Sequence, residues 1–226
     1  TDQSSTTANI TAKSLTVSGI TASDKTYDGS VTATMNGNSA VYSGLVSGDT
    51  FTGSYSGVFA NANVGNNKTV TITSSYTGGD VNNYTVTNQS STTADISAKA
   101  LTATASTSNK TYDGGTTAST TLTFTGLVGS ETLGQTVGST FDNKNVGTGK
   151  TVTVNSITLA DGSGLAANYS ISAGQTTTAN ITAKALTVSG ITASNKTYDG
   201  STNATLTGTA VYSGLVSGDT FDGTYT

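Results

Sequence analysis

The feature that most constrains this chain is that it repeats itself about every 85 residues. Lys25 to Gly29 reads K-T-Y-D-G, and the same five residues return at Lys110 to Gly114 and at Lys196 to Gly200, 85 and 86 positions further on. Other landmarks keep step. T-A-N-I-T-A-K at 7–13 recurs as T-A-D-I-S-A-K at 93–99 and as T-A-N-I-T-A-K at 178–184. Asn83-Tyr84 recurs as Asn168-Tyr169, and Asn63-Val64-Gly65 with Lys68 recurs as Asn145-Val146-Gly147 with Lys150. Solenoid units run roughly 20 to 50 residues and share one continuous core, so a period this long matches a small domain instead. The expected division is the closing strand of a preceding repeat at 1–13, complete repeats at 14–99 and 100–184, and a partial third at 185–226. Residues 1–9 match 87–95, so the array is expected to continue beyond these 226 residues.

Within a repeat the apolar residues alternate. Leu15 and Val17, Val70 and Ile72, Leu122 and Phe124, and Val152 and Val154 are each separated by Thr, the period of a half-buried strand. Thr suits the other face because its branched Cβ favours extended backbone. Asn36-Gly37, Asp161-Gly162, Gly78-Gly79-Asp80 and the Asp-Gly of each K-T-Y-D-G are turn signals between these runs. Short strands at such intervals predict an all-β fold: a tandem array of small antiparallel domains, each an immunoglobulin-like sandwich or a mostly-β grasp-like unit. The second repeat holds 18 large apolar or Tyr residues, a core small enough that packing against neighbours is expected to matter. Only Ser97-Ala98-Lys99-Ala100 separates one repeat's last strand from the next repeat's first. A connection so short and free of Gly predicts successive domains held in fixed order along an elongated rod.

Composition narrows the function. Thr and Ser number 50 and 30, about 35% of the chain, while His, Cys, Trp, Pro and Arg are absent and Glu131 is the only Glu. General bases, thiolates, transition-metal ligands and bidentate phosphate clamps therefore have little to be built from, and no enzyme activity and no cofactor are expected. Abundant Ser without a His base does not make a nucleophile. A net charge of −4 with nine scattered Lys provides no footprint for nucleic acid. No apolar run approaches the roughly 20 residues of a membrane span, so this segment is not expected to insert. The absence of Cys fits a reducing compartment or an exported chain without disulfides.

The candidate site residues are those of the recurring motif: Lys25, Tyr27, Asp28 and Gly29; Lys110, Tyr112, Asp113 and Gly114; Lys196, Tyr198, Asp199 and Gly200. A carboxylate beside a Gly turn is what calcium would use, yet one carboxylate per turn is too few. An Asp-Gly turn with Tyr packed as an amphipathic plug explains the motif more simply. G-T-G-K-T at 147–151 has Lys144 where a phosphate loop needs Gly and runs on as alternating T-V-T-V, so a turn entering a strand is expected there. Tyr84 and Tyr169 read as buried structural tyrosines, Asp80 standing four residues before Tyr84 as in a tyrosine corner. Lys25 and Lys68, with their copies, are candidates for isopeptide crosslinks to Asn or Asp, against the commoner solvated strand-end charge. Nine Asn-x-Ser/Thr sequons, little more than this hydroxyl content gives by chance, leave glycosylation open.

Taken in order, K-T-Y-D-G, Leu127-Val128, the run Asp142 to Val154, Asn168-Tyr169-Ser170 and the closing Ile181-Thr182-Ala183-Lys184-Ala185-Leu186-Thr187 resemble the YDG repeat of large secreted bacterial proteins similar to filamentous haemagglutinins. The closing segment of such repeats often reads I-T-P-K, whereas Ala12, Ala98 and Ala183 stand at the proline position here. The resemblance implies a cell-surface or extracellular adhesin or matrix protein with a mostly-β stalk and no catalytic residues. Its partners are then neighbouring repeats of the same chain, other copies of itself, or host and matrix glycans. The alternative to a stalk is a binding module, in which each repeat recognises glycan or another copy of itself through exposed tyrosines such as Tyr42 and its copy Tyr212.

Overall fold

The computed structural model describes Asp2 and residues 4–225; Thr1, Gln3 and Thr226, in the first and last of the expected segments, lie outside the described residues. Nearly all regular structure is β, with single 3-10 turns at Val81–Asn83 and Ala166–Asn168. The all-β expectation therefore holds.

Two compact units are present. The first gathers the described residues up to Leu101 with Gly126–Gly134 and Ala160–Ile171; the second gathers Thr102–Thr125, Gln135–Leu159 and the described residues from Ser172 on. Two loop segments of the second sequence repeat thus pack with the first repeat. The Ser97-to-Ala100 connector is only part of what ties the two together.

In the first unit a five-stranded sheet runs in the order Lys25–Thr26, Ser91–Ser97, Gly65–Thr77, Thr52–Phe59 and Thr32–Ala33. A three-stranded sheet places Lys13–Ser18 between Val41–Ser43 and Tyr84–Thr87. The Gly65–Thr77 strand shows how Thr-rich sequence makes such a sheet: Val70 and Ile72 point inward while Thr69, Thr71 and Thr73 face out. Ile72 meets Val17 of the other sheet in one buried cluster with Ile20, walled by Met35, Tyr42, Tyr55 and Tyr76. Two sheets sharing one core make this a layered β fold.

In the second unit Lys110–Thr111, Thr176–Thr182, Gly147–Asp161 and Leu133–Phe141 form a four-stranded sheet, and Thr102–Thr107 pairs with Thr120–Thr125. Phe141, Val152, Ala179 and Ile181 form its core cluster, with Tyr112 and Ala118 packed against it. Of the partial third repeat, Thr187–Ala193 and Leu206–Ser213 form a hairpin. G-T-G-K-T enters the long strand through a bulge: Gly147 opposes Ile181 and Lys150 opposes Ala179, with Gly149 at φ +60° between them.

The domains are not purely antiparallel, which corrects the reading from sequence. Lys13–Ser18 runs parallel to Tyr84–Thr87, and Ser91–Ser97 runs parallel to Lys25–Thr26 with Ile96 opposite Lys25. The second repeat copies this with Ile181 opposite Lys110. Parallel pairs need a long excursion between their strands, and here most of a repeat supplies it. Alternation along a strand reports which face is buried but not the direction of its neighbour.

Candidate functional site: a tyrosine and carboxylate joint

Each K-T-Y-D-G builds a braced turn, which in the first two copies follows the short strands Lys25–Thr26 and Lys110–Thr111. Asp28 Oδ1 accepts from Lys25 Nζ at 2.7 Å and from the Ser30 backbone N–H at 2.8 Å. The Lys25 hydrogen bond, together with that N–H, holds the Asp28 carboxyl below its ordinary range. Lys25 Nζ also donates to the carbonyls of Ser30 and Thr32 and lies 5.7 Å above the Phe59 ring. The chain then reverses through Gly29 at φ +78°, a region a side chain enters only under strain. Lys110 and Asp113 repeat the pair at 2.7 Å, with Lys110 over Phe141. Lys196 and Asp199 repeat it at 3.0 Å, with Gly200 at φ +75°. Lys68 Nζ donates to Asn61 Oδ1, and Lys150 pairs with Asp142 and Asn143, so these lysines brace turns.

The turn exists to aim the tyrosine. The Tyr27 N–H donates to Ser97 O, fixing the residue against the repeat's last strand, and its side chain is buried. Its hydroxyl donates to Glu131 Oε1 at 2.7 Å, 104 residues away. The other carboxylate oxygen, Oε2, accepts from Tyr169 at 2.6 Å, and the Tyr169 hydroxyl in turn accepts from the Val128 N–H. The two rings meet edge to face, their centroids 5.4 Å apart. All four residues belong to the first compact unit.

A second contact closes beside it. Asn168, 1% exposed, accepts from the Val64 N–H through Oδ1 at 2.9 Å and donates through Nδ2 to Asn63 Oδ1 at 3.1 Å. Lys99–Ala100 adds a short parallel pairing with Tyr169–Ser170. The first repeat thus presents the Tyr27 and Asn63-Val64 turns, and the second receives them on Val128, Glu131, Asn168 and Tyr169.

The electrostatics follow from one carboxylate shared by two phenol hydroxyls, with no ion pair to Glu131 among the described residues. Charge-assisted hydrogen bonds of this kind are short and strong. The Glu131 hydrogen bond, and then burial, push the Tyr27 hydroxyl up to about 12. Burial first, then the same carboxylate, push Tyr169 up.

The arrangement recurs. Tyr84 donates to Asp49 at 2.5 Å and accepts from the Val46 N–H, the same half-socket in the first repeat. In the second unit Tyr112, half-buried, donates to Asp219 Oδ1 at 3.2 Å, and Gly114 abuts Val216 as Gly29 abuts Val128. Tyr198 is 94% exposed. Among the described residues no group of three or more acidic, His or Cys side chains could hold a metal, and no helix is long and apolar enough to cross a membrane.

Comparison with known families matches the YDG domain three times, at residues 11–94, 97–179 and 182–226. The chain belongs to the YDG domain family. No curated protein and no solved structure matches it. In this YDG array the motif tyrosines were legible from repetition, and Tyr84 and Tyr169 are buried as expected. Their partner is not main chain alone, however, and Asp80 serves the Thr50 N–H rather than Tyr84. The acid was missed. Leu45-Val46-x-x-Asp49-Thr50 recurs as Leu127-Val128-x-x-Glu131-Thr132 and Leu215-Val216-x-x-Asp219-Thr220, and that register was the available signal. It was obscured because Asp alternates with Glu and the spacings are 82 and 88. Tyr42 and Tyr212 are not the exposed tyrosines expected. Both are half-buried against Phe51 and Phe221, and the hydroxyls pair with Tyr55 and Tyr225.

Proposed function

We propose that these YDG repeats are a non-enzymatic structural segment, a stalk, spacer or filament body, of a large extracellular bacterial adhesin or matrix protein. The observation that carries this reading is the joint of Tyr27 with Glu131 and Tyr169, whose parts recur with each repeat. The chain's one Glu and its motif tyrosine are spent on binding one repeat to the next, as a spacer that must keep its order requires. The Thr-rich outer faces stay hydrated, and a chain without Cys avoids disulfide mispairing during export. The alternative, a carbohydrate-binding or self-associating adhesion module, needs exposed aromatic platforms, and the half-buried Tyr42 and Tyr212 weaken its glycan form.

Small-angle scattering of the whole chain tests the spacer. An extended particle with a single narrow distribution of dimensions is expected, broadening in Glu131→Ala as the joint loosens. A compact globule, or a distribution the substitution leaves untouched, would remove the reading. Saturable binding to a glycan panel would replace it with the alternative.

A further inference from the structure

The first and last stretches of a repeat lie side by side and run the same way. Lys13 to Thr16 pairs with Tyr84 to Thr87, and Lys25-Thr26 pairs with Ile96-Ser97, both parallel and both with the partner 71 positions further on. The register is therefore the same at the two ends, although the two pairings belong to different sheets. Side chains carry it across the gap. Gln89 Oε1 accepts from the Ile20 N–H at 2.9 Å, and its Nε2 donates to the Ile20 carbonyl at 2.8 Å, as a facing strand would. Asp24 Oδ1 accepts from the Asp95 N–H at 2.7 Å, and the Tyr27 N–H closes the run on Ser97 O. Leu15, Ile20 and Ile96 are each no more than 1% exposed, so water is kept from the seam and its hydrogen bonds are the stronger for it.

The second repeat keeps the plan. Lys99-Ala100 runs parallel to Tyr169-Ser170, and Lys110-Thr111 runs parallel to Ile181-Thr182. Asn109 takes the place of Asp24, accepting from the Asn180 N–H at 2.7 Å, again 71 positions away. The bond survives although both Asp residues have become Asn.

Strand direction decides how such a seam is loaded. The chain enters the first repeat at the Lys13 end of the seam and leaves it past Ser97, at the opposite end. Tension along the chain then slides the two stretches past one another and strains all their hydrogen bonds together. Were the stretches antiparallel, entry and exit would lie at the same end, and tension would open the bonds one at a time.

We infer that this seam is a shear clamp, through which each YDG repeat bears tension carried along its own chain. The inference rests on the spacer reading for the source of the load.

Force spectroscopy of the whole chain tests this, and because the sequence has no Cys, two introduced thiols are the only handles. Handles at Thr11→Cys and Ala98→Cys pull along the seam; handles at Thr11→Cys and Asn82→Cys pull its Lys13 and Tyr84 ends apart. At one loading rate the first pair should yield at roughly twice the force of the second or more, since bonds that break together resist more than bonds that break in turn. It should release its stretch of chain in one step of at most about 300 Å, the extended length between the handles. Gln89→Ala, which removes the link between the two pairings, should lower the force along the seam and leave the peeling force unchanged. Equal forces in the two directions, release in several small steps, or a force along the seam that Gln89→Ala does not change would overturn the inference. Scattering of Glu131→Ala is read without load, so failure of the spacer reading and failure of the clamp are told apart.

Discussion

Three copies of one tyrosine sit in three environments. Tyr27 is buried and bonded at 2.7 Å to a carboxylate that a second tyrosine also holds. Tyr112 is half-buried with one bond at 3.2 Å, and Tyr198 is bare. The turns beneath them are nearly the same, each with its Lys to Asp pair. The motif therefore makes the turn by itself, while burial of its tyrosine depends on how much of the following repeat stands in front of it. Tyr27 faces both Glu131 and Tyr169; Tyr112 faces Asp219 alone among the described residues.

The sharpest way to break this comparison is Glu131→Ala, which strands two phenol hydroxyls at once. It should destabilise the first unit by about 2–4 kcal/mol in urea denaturation, since hydrogen bonds to charged groups and buried unsatisfied donors each cost about 1–3 kcal/mol. Next, Tyr27→Phe should cost about 1.5 kcal/mol and Tyr112→Phe about half that, while Tyr198→Phe should leave the midpoint of the isolated chain unmoved. A flat series across the three would mean that the carboxylate joint adds nothing beyond ring burial.

Gly29→Ala should cost about 1 kcal/mol, because it places a Cβ at positive φ. That Cβ would also stand 3.0 Å from Val128 Cγ1, whereas nothing lies within 4 Å of the same position on Gly200. Gly200→Ala should accordingly cost less, and equal effects would remove the Val128 contact from the account.

Alkaline pH should loosen the Tyr27 joint. Its hydroxyl is raised from 10.0 to about 12 in the folded chain, so the contribution is fully present below pH 10.0 and is lost as pH rises through about 12. Tyrosinate absorbance should show a late-titrating hydroxyl that Glu131→Ala brings down. The smallest effect lies at acid pH. Asp28 and Asp113 are lowered from 3.8 by their lysines, so what they contribute is present above that value and fades as pH falls through the depressed ones. Asp28→Asn should flatten this slope in an acid denaturation series.

Much of the fold was legible in the chain itself because it is set locally. Thr alternating with Val70 and Ile72 declares a strand and its buried face, and Asp28-Gly29 declares a turn, since backbone preference and side-chain period act over a few residues. Repetition located the motif tyrosines. What resisted was anything decided across long separations. The parallel pairing of Ser91–Ser97 with Lys25–Thr26 leaves the same alternation as an antiparallel one. The burial of Tyr42 depends on Phe51 and Tyr55 folding over it.

The sequence by itself determined the period, the all-β class and the braced K-T-Y-D-G turn, because each rests on spacing or on hydrogen bonds within a few residues. Only the tertiary structure decided that Tyr27 reaches Glu131 across 104 residues and that loops of the second repeat pack with the first. That choice depends on which donor and acceptor meet once water is excluded, and it leaves in sequence only an acid that changes identity and spacing from one repeat to the next.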